Sequence, residues 1–289
     1  MSDFVNTVDS IGDEALTNSI IDRSITEIQD NYVTSIGVYA FQACSALTTA
    51  SFQAATSIGN YAFQACSALT TVNFPAVTSI GDYTFRDCSK LTAVDFPAVT
   101  SIGTSAFKGC SKLTTVDFPV ATSISGAVFN NCSALTTADF PAVTSIGDNV
   151  FNSCSSLTTA DFPAVTSIGV YAFKGCSALT TADFPVATSI GSGAFNSCSA
   201  LTTADFPAVT RISSDAFQAC SKLTTLILRS GTMATLSNTS AFSNTPIASG
   251  TGYIYVPAAL VDTYKAATNW TTYANQIRAI EDYPDICGG

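Results

Sequence analysis

Histidine is absent from this 289-residue chain, and charged residues make up only 11% of it. Without histidine the chain lacks the side chain that most often acts as a general base and as a metal ligand. The net charge of −10 is the opposite of the basic surface that nucleic-acid binding requires. These absences argue against an enzyme and against a nucleic-acid partner, and we expect no catalytic residue and no cofactor.

Long apolar runs are missing as well, although 47% of the residues are hydrophobic. No run approaches the roughly 18 residues of a membrane span, so we expect no membrane insertion. The opening MSDFVNTVDS has neither the basic nor the apolar region of a signal peptide. We therefore expect either a non-classical export route or a leader that this chain does not carry.

A strict repeat of 22 residues dominates what the sequence does contain. Cysteine marks the repeat at Cys44, Cys66, Cys88, Cys110, Cys132, Cys154, Cys176, Cys198 and Cys220. Phenylalanine from Phe41 to Phe217 and leucine from Leu47 to Leu223 keep the same spacing. A fixed period of this length indicates one supersecondary unit stacked many times, so we predict a solenoid.

The spacing of the cysteines predicts buried thiols instead of disulfides. Residues 22 apart occupy equivalent places in adjacent turns, with parallel side chains about 5 Å apart. A disulfide needs Cβ atoms about 3.8 Å apart, which parallel side chains do not readily provide. We predict nine reduced thiols that act as small hydrophobic groups, and an exposed, reactive Cys287 outside the repeat.

One repeat, LTTADFPAVTSIGDNVFNSCSS from Leu135 onward, predicts two short strands and a turn. Ala138 and Phe140 share one parity and the residues beside them share the other, which is the period of a strand. Proline follows in most repeats and ends the strand, because it has no N–H to donate. The VTSI piece is a second strand, and the spacing of Phe151 and Cys154 predicts a single helical or 3₁₀ turn.

The chain divides into three predicted parts. These are an N-terminal helical cap at 1–24, a solenoid of about ten turns at 25–245, and a C-terminal strand and helix cap with a tail at 246–289. The first cap rests on the helical spacing of apolar residues within 13–23. In the last part GYIYVP indicates a strand, and residues 258–280 indicate one or two helices. Solenoids need caps because a bare terminal turn exposes core and an unpaired strand edge.

The recurring IGxxAFxxCSxLTxxxFP signature resembles the leucine-rich repeats of the BspA-like family. This resemblance implies an α/β repeat solenoid, a right-handed leucine-rich-repeat stack with short parallel strands, a 22-residue period and helical caps at both ends. Members of the family are bacterial surface or secreted proteins to which adhesion is attributed. The start and the GYIYVPAALVDTYKAATNW segment also resemble prophage tail-associated repeat proteins.

Side chains vary most in the turn that follows the Ile-Gly of each repeat, whereas the strand face is nearly constant. Stacking places three tyrosines in a file there, followed by four basic residues on two adjacent turns. These candidate partner-binding residues, the Tyr–Lys strip, are Tyr39, Tyr61, Tyr83, Arg86, Lys90, Lys108 and Lys112. Tyrosine faces suit sugar rings, and the cations suit an acidic protein surface. The alternative is a polar edge under weak constraint.

A file of outward carboxylates on the strand face is the second candidate. Its members, the Asp file, are Asp95, Asp117, Asp139, Asp161, Asp183 and Asp205. Carboxylates about 5 Å apart repel by roughly 0.8 kcal/mol in water, which favours a bound cation or raised pKa values. One carboxylate per turn is few for calcium, which takes about six to eight oxygens. The alternative is that the hydroxyls of Thr115, Thr137 and Thr159 bond the carboxylates while salt screens the rest.

A non-enzymatic binding or adhesion protein is the function that these features predict. It would present a repeat surface to a protein or glycan on a cell surface, in bacterial or phage host recognition, and act outside the cell, at the cell surface or on a virion. The alternative function is a purely structural spacer or assembly protein of a phage tail or cell envelope. The sequence leaves both the partner and the oligomeric state open.

Overall fold

The structure, a computed structural model, describes residues 10–11 and 24–287. It comprises two compact units, residues 1–142 and 143–289, each with its own core. Every repeat within a unit contributes two short strands and a loop, so the two units have the same internal plan.

The first unit contains twelve short strands among its described residues. They are β1 Ser10–Ile11, β2 Glu27–Asp30, β3 Ser35–Ile36, β4 Thr49–Phe52, β5 Ser57–Ile58, β6 Thr71–Asn73, β7 Ser79–Ile80, β8 Ala93–Asp95, β9 Ser101–Ile102, β10 Thr115–Asp117, β11 Ser123–Ile124 and β12 Thr137–Asp139. The two-residue strands form a sheet in the order β1-β3-β5-β7-β9-β11, and the longer strands pair as β2-β4-β6 and β8-β10. Every pairing is parallel.

Equivalent residues of successive repeats pair with each other, as the sequence predicts. Ile36 pairs with Ile58, and Ile58 pairs with Ile80. Upstream of the predicted start of the stack near residue 25, Ser10–Ile11 pairs with β3. The helix predicted within 13–23 lies outside the described residues.

Alternation along the strands separates the core from the surface. Ala138 is 4% exposed and Phe140 fully buried, whereas Thr137 and Asp139 are exposed. The predicted parity of the strand is therefore confirmed. Leu135, which opens the repeat, is also fully buried, and the equivalent leucine, phenylalanine, isoleucine and cysteine columns are buried in every complete repeat.

Proline limits the length of the longer strands, and one repeat without it shows why. The strand β6 ends at Asn73, just before Phe74 and Pro75. In the preceding repeat the proline position is Gln53, and β4 extends to Phe52. Gln53 N–H donates to the Asp30 carbonyl at 3.1 Å, a bond that proline cannot make.

Two columns of phenylalanine fill the interior of each turn. In the first unit the rings of Phe41 and Phe63 lie 4.9 Å apart and nearly parallel, and those of Phe52 and Phe74 lie 5.7 Å apart. The two columns meet at a tilt, with Phe41 and Phe52 inclined by 52°. Each buried ring contributes about 1.5–3 kcal/mol of transfer free energy, so the columns are a principal source of stability.

The loop between the two strands has a turn at the predicted Phe–Cys spacing, since the Cys44 N–H donates to the Phe41 carbonyl at 3.2 Å, but the conformation of this turn is neither helical nor 3₁₀. Between β2 and Thr239 the described residues contain no helix. Each loop instead contains two left-handed positions, represented by Tyr39 with φ 60° and Ala43 with φ 58°. The N–H groups of Tyr39, Phe41 and Ala43 all donate to carbonyls of the following turn, at 3.0, 2.7 and 2.7 Å. These inter-turn bonds offset the cost of the left-handed backbone and replace a helix.

The cysteines form the buried, reduced file that their spacing predicts. All nine repeat cysteines are buried thiols that form no disulfide. In the first unit Cys66 Sγ donates to the Phe41 carbonyl at 3.0 Å, and Cys88 Sγ donates to the Phe63 carbonyl at 3.1 Å. Burial, followed by the neighbouring thiol of Cys110, raises the pKa of Cys88 well above its usual value. The prediction for the side chain of Cys287 lies outside the described side chains.

The second unit repeats this plan and adds the C-terminal elements. Its strands are β13 Ser145–Ile146, β14 Thr159–Asp161, β15 Ser167–Ile168, β16 Thr181–Asp183, β17 Ser189–Ile190, β18 Thr203–Asp205, β19 Arg211–Ile212, β20 Thr225–Ile227, β21 Thr235–Leu236, β22 Tyr253–Val256 and β23 Ile277–Ala279. Its helices are α1 Pro246–Ser249, α2 Val261–Ala266 and α3 Pro284–Cys287, with 3₁₀ segments at Thr239–Phe242, Ala258–Leu260, Trp270–Gln276 and Ile280–Asp282. The parallel sheets run β13-β15-β17-β19-β21 and β14-β16-β18-β20-β22-β23.

Side chains of the C-terminal segment occupy the edge of β21, the last strand of its sheet. The hydroxyl of Tyr264 accepts from the N–H of Ala234 at 2.7 Å, and the indole N–H of Trp270 donates to the carbonyl of the same residue at 2.8 Å. The amide of Asn269 donates to the Leu236 carbonyl at 2.7 Å. An edge whose backbone groups are satisfied in this way cannot template another strand.

The fold is a parallel β-solenoid of the right-handed leucine-rich-repeat type. The α/β part of the prediction is wrong for the repeats, since the helices of the described residues begin only after them. The longer strand occurs six times in each unit among the described residues, which gives about twelve turns in place of ten. The two extra turns come from β22 and β23. The strand at GYIYVP is confirmed, but β23 occupies 277–279, within the residues predicted to be helical.

Truncating an inward side chain should cost far more than truncating its outward neighbour. We expect Leu135→Ala to lower the free energy of unfolding by about 2–5 kcal/mol, because it leaves a cavity. Thr137→Ala should change it by less than about 0.5 kcal/mol. Urea denaturation of both variants measures this difference, and equal losses would contradict the assignment of the two faces.

The buried thiols should resist modification until the protein unfolds. Burial keeps them protonated, and the thiolate is the reactive form. A thiol reagent added to the native protein should find at most one fast cysteine, the predicted Cys287, and the other nine should react only in denaturant. Several fast thiols in the native protein would overturn the buried file.

Candidate partner-binding surface

The Tyr–Lys strip lies in the loops of the first unit, where the left-handed backbone positions its side chains. Tyr39, Tyr61 and Tyr83 occupy the first left-handed position of three successive turns, with φ between 57° and 60°. Bulky residues rarely adopt this conformation, so each loop is held by its inter-turn hydrogen bonds. Tyr61 N–H, for example, donates to the Asp82 carbonyl at 2.8 Å. The strip is therefore presented on a fixed scaffold.

The three tyrosines form a continuous stack. The ring centroids of Tyr39 and Tyr61 are 4.9 Å apart with planes inclined by 19°, and those of Tyr61 and Tyr83 are 4.8 Å apart and inclined by 6°. The predicted file of tyrosines is thus present in the structure. Both faces of the Tyr61 ring are covered by its two neighbours, and the residue is half-buried.

A polar column runs beside the tyrosines, three residues further along each turn. The amide nitrogen of Gln42 donates to the amide oxygen of Gln64 at 2.7 Å. In the next turn this position is Arg86, whose guanidinium carbon lies 5.7 Å from the centroid of the Tyr83 ring. A cation over a tyrosine face is favourable by about 0.5–1 kcal/mol at an exposed site. Arg86 therefore joins the aromatic part of the strip to the basic part.

The basic part extends over two adjacent turns. Arg86 and Lys108 are half-buried at equivalent positions, and the Asp87 N–H donates to the Lys108 carbonyl at 2.7 Å, which holds the two turns together. Lys90 and Lys112 are exposed at a second pair of equivalent positions. These four are all the basic residues in the described part of the first unit.

Two aspartates within the strip were not anticipated from the sequence. Asp87 Oδ2 lies 3.2 Å from Nε of Arg86, a contact without hydrogen-bond geometry. Asp82 Oδ1 accepts from the N–H of Thr104. Asp87 therefore offsets the charge of Arg86, and the lysines carry the net positive charge of the strip.

The environment of the tyrosine stack raises the pKa of its central phenol. Partial burial raises the pKa of Tyr61 above its usual value, as do the phenols of Tyr39 and Tyr83 and the carboxylate of Asp82. The guanidinium of Arg86 acts in the opposite direction. At neutral pH the Tyr61 hydroxyl is therefore available to a partner as a hydrogen-bond donor.

A smaller pair of the same kind lies in the second unit. The ammonium of Lys174 lies 4.8 Å from the centroid of the Tyr171 ring. The next turn has Gly193 at the equivalent position, and a Cβ built there would meet the Tyr171 ring at 2.3 Å. Gly193 thus leaves room for the Tyr171 ring. At the equivalent place in the first unit, a further tyrosine stacks on its neighbour instead.

The Asp file is in register within each unit. Asp95 pairs with Asp117 in the first unit, and Asp183 pairs with Asp161 and Asp205 in the second. Among the described residues, no group of three acidic, cysteine or histidine side chains is placed to hold a metal ion.

A second file of threonine hydroxyls lies one residue before the threonines of the alternative interpretation and bonds to the main chain. The hydroxyls of Thr114 and Thr136 donate to the main-chain carbonyl of the threonine one turn earlier, at 3.0 and 3.2 Å. These threonines precede Thr115 and Thr137 by one residue. The hydroxyl file therefore reinforces the stacking of the turns.

An arginine forms an ion pair with the last aspartate of the Asp file in the second unit. The guanidinium of Arg229 donates to both carboxylate oxygens of Asp205, with Nη2 2.7 Å and Nε 3.0 Å from Oδ2 and Nε 3.2 Å from Oδ1. Partial burial, followed by the charges of Asp161 and Asp205, raises the pKa of Asp183. The repulsion that the sequence predicts is thus present at Asp183, whereas Asp205 has a counter-ion.

Beyond Arg229 the same face becomes aromatic, which the repeat pattern does not indicate. Tyr253 is 37% exposed and has the guanidinium carbon of Arg278 4.7 Å from its ring centroid. Tyr255 contacts both Tyr253 and Tyr283 through ring edges. The alternation within GYIYVP was the available signal, since it places both tyrosines of the strand on one face.

A stack of 22-residue turns with parallel strands and buried leucine, isoleucine and phenylalanine columns defines a leucine-rich-repeat protein. The sequence profile of the BspA type leucine rich repeat region matches residues 2–92, 78–185 and 144–254, and the chain belongs to this family. A comparison with curated protein sequences finds no match. None of the helices in the described residues has the length and hydrophobicity needed to span a bilayer.

Solved structures of bacterial leucine-rich-repeat proteins share the fold. A leucine rich cell surface protein of Faecalibacterium prausnitzii A2-165 is similar with a TM-score of 0.50 and 23% identity, over 95% of this chain and 88% of that one. The T. pallidum leucine rich repeat protein has a TM-score of 0.50 and 25% identity, over 54% and 78%. The pneumococcal vaccine antigen PcpA has a TM-score of 0.52 and 14% identity, over 88% and 79%.

Removing the charge of Asp183, the middle member of the Asp file within the second unit, should stabilise the protein at neutral pH. The raised pKa means that folding disfavours the charged form, so Asp183→Asn should add up to about 1 kcal/mol at pH 7 after salt screening. The gain should vanish as the pH falls through the pKa of Asp183, where the wild-type carboxyl takes up a proton. Urea denaturation at pH 7 and pH 3 measures both effects.

The control for this variant is Asp215→Asn, which makes the same change outside the Asp file. Asp215 has φ 57°, a backbone conformation that asparagine also tolerates. It should show no pH-dependent gain. A loss of stability for Asp183→Asn at pH 7 would contradict repulsion within the file.

Proposed function

We propose that this protein is a non-enzymatic binding protein that uses the Tyr–Lys strip to hold a partner at a cell surface. The observation that carries the proposal is the concentration of unlike side chains in one place. Repeats of this chain are nearly uniform in their core and strand face, whereas aromatic, amide and basic groups gather in the loops between residues 39 and 112. Recognition needs such unlike groups at defined points, and tyrosine and arginine dominate many interfaces.

Membership of a family of leucine-rich-repeat surface proteins supports a location outside the cell, and we propose the cell surface or a virion. We propose adhesion in bacterial or phage host recognition as the biological setting. The partner is then a protein or a glycan displayed on a cell. The rigid backbone of the strip supports this role, because a preformed surface loses little conformational entropy on binding.

Binding to a panel of intact bacteria and to a glycan array tests the strip directly. Tyr61→Ala should weaken binding because it opens the stack, and Lys108→Glu because it reverses a charge. We expect each to lose more than about 1 kcal/mol, roughly fivefold in affinity. Lys222→Glu is the matched control, since Lys222 lies outside the strip in the second unit. Circular dichroism of each variant separates lost binding from lost folding.

The pattern of losses decides between this proposal and its alternatives. Unaltered binding in both strip variants, with a loss on Asp139→Asn or Asp161→Asn, would move the site to the strand face. If the wild-type chain bound none of these targets, the structural spacer would replace the binding protein as the better account.

A further inference from the structure

The stacking of the tyrosines determines what the strip can offer to a partner. Tyr61 has a neighbour on each face, at 4.9 and 4.8 Å, and Tyr83 has the guanidinium of Arg86 beside its ring. A sugar ring therefore cannot lie flat on Tyr61. The stack presents ring edges and phenol hydroxyls, which recur once per turn at nearly the same step as the strands.

The remaining groups of the strip are polar and repeat at that step as well. The amides of Gln42 and Gln64 are joined head to tail, and the lysine positions recur one turn apart. The large apolar side chains that the described residues expose all lie elsewhere, at Tyr32, Val120, Val170, Val186, Tyr253 and Ile286. A globular protein partner usually needs an apolar anchor that becomes buried, and the strip has none to offer.

The charge of the strip indicates the charge that its partner carries. Asp87 offsets Arg86, while Lys90, Lys108 and Lys112 lie within two adjacent turns of a chain whose net charge is −10. A local positive surface on an acidic molecule attracts anionic partners. The Tyr61 hydroxyl is a neutral phenol at neutral pH and donates a hydrogen bond to the same anionic or hydroxyl oxygens.

We infer that the partner of the Tyr–Lys strip is an acidic polysaccharide that lies along the stack of turns. Its carboxylate or sulfate groups contact the lysines, and its hydroxyls exchange hydrogen bonds with the phenol and amide groups. A polymer with a repeated anionic unit matches a surface whose own groups repeat, whereas an acidic peptide would leave the hydroxyl-binding part of the strip unused. This inference rests on the proposed function and specifies its ligand class.

The full chain should bind anionic polymers of sugar and not their neutral or peptide counterparts. The probes are dextran sulfate and polygalacturonate, compared with neutral dextran and poly-glutamate of similar length, by calorimetry at two salt concentrations. We expect binding to at least one acidic polysaccharide, weakened by salt, and at least about tenfold weaker binding to the other two polymers. No binding to either acidic polysaccharide, or equal binding to poly-glutamate, would overturn the inference.

A pair of double variants assigns the binding to the strip. Lys90→Gln with Lys112→Gln removes two exposed charges from the strip, and Lys222→Gln with Lys265→Gln removes two exposed charges outside it. The first should lower the affinity for the acidic polysaccharide about three- to tenfold, and the second less than about twofold. Equal losses would mean non-specific attraction and would contradict a site at the strip.

Competition on intact bacteria separates this inference from the proposed function. If the acidic polysaccharide displaces the chain from cells, and the strip double variant no longer binds the cells, both the proposed function and the inferred ligand class are supported. If the strip variant loses the cells but the polysaccharide does not compete, the proposed function stands and the acidic polysaccharide is wrong. If no strip variant affects the binding to cells, the proposed function itself is wrong.

Discussion

The 22-residue register is the constraint on which the rest of the structure depends. Because each turn repeats the last, every side chain meets its own kind at a distance of about one strand spacing. The arrangement suits apolar and aromatic groups, which stack, and it suits backbone groups, which pair in parallel ladders. It penalises charge, because it places like carboxylates such as Asp183 and Asp205 opposite each other. This penalty accounts for the low share of charged residues, 11%.

The same register satisfies the polar groups that the turns must bury. A thiol such as Cys66 reaches the Phe41 carbonyl of the previous turn, and a hydroxyl such as Thr114 reaches the Thr92 carbonyl. Loop N–H groups such as that of Phe41 donate in the other direction, to the following turn. Each bond is worth about 1 kcal/mol, and each would be costly to leave unmade in the interior. A turn in register is therefore both close-packed and satisfied in its hydrogen bonds.

Periodicity made the repeat, the strand parity and the buried cysteines predictable, because each depends only on which residues recur. The loop was not predictable in this way. The Phe–Cys spacing of a helical turn is shared by a loop with two left-handed residues, and tyrosine at such a position runs against local preference. A signal was present in the same columns, where Gly193, Asn149 and Asp215 replace Tyr39. Glycine, asparagine and aspartate are the residues that tolerate that backbone.

The Tyr–Lys strip shows what a repeat can and cannot reveal about a surface. Column alignment predicted that the tyrosines would lie in a file, and they do. It could not predict that the rings would face one another, since that depends on the side-chain rotamers and on the exit angle from the left-handed backbone. The stacking changes the chemistry of the surface from open aromatic faces to rows of hydroxyls, amides and cations.

Deleting residues 116–137 tests the register most directly, in comparison with deleting 116–138. The first removes one whole repeat and joins Thr115 to Ala138, so the protein should stay folded with one cooperative transition; the second places Asp139 at the inward position and should cost several kcal/mol or abolish folding. Equal stability of the two deletions, by far-UV circular dichroism and urea denaturation, would contradict the account.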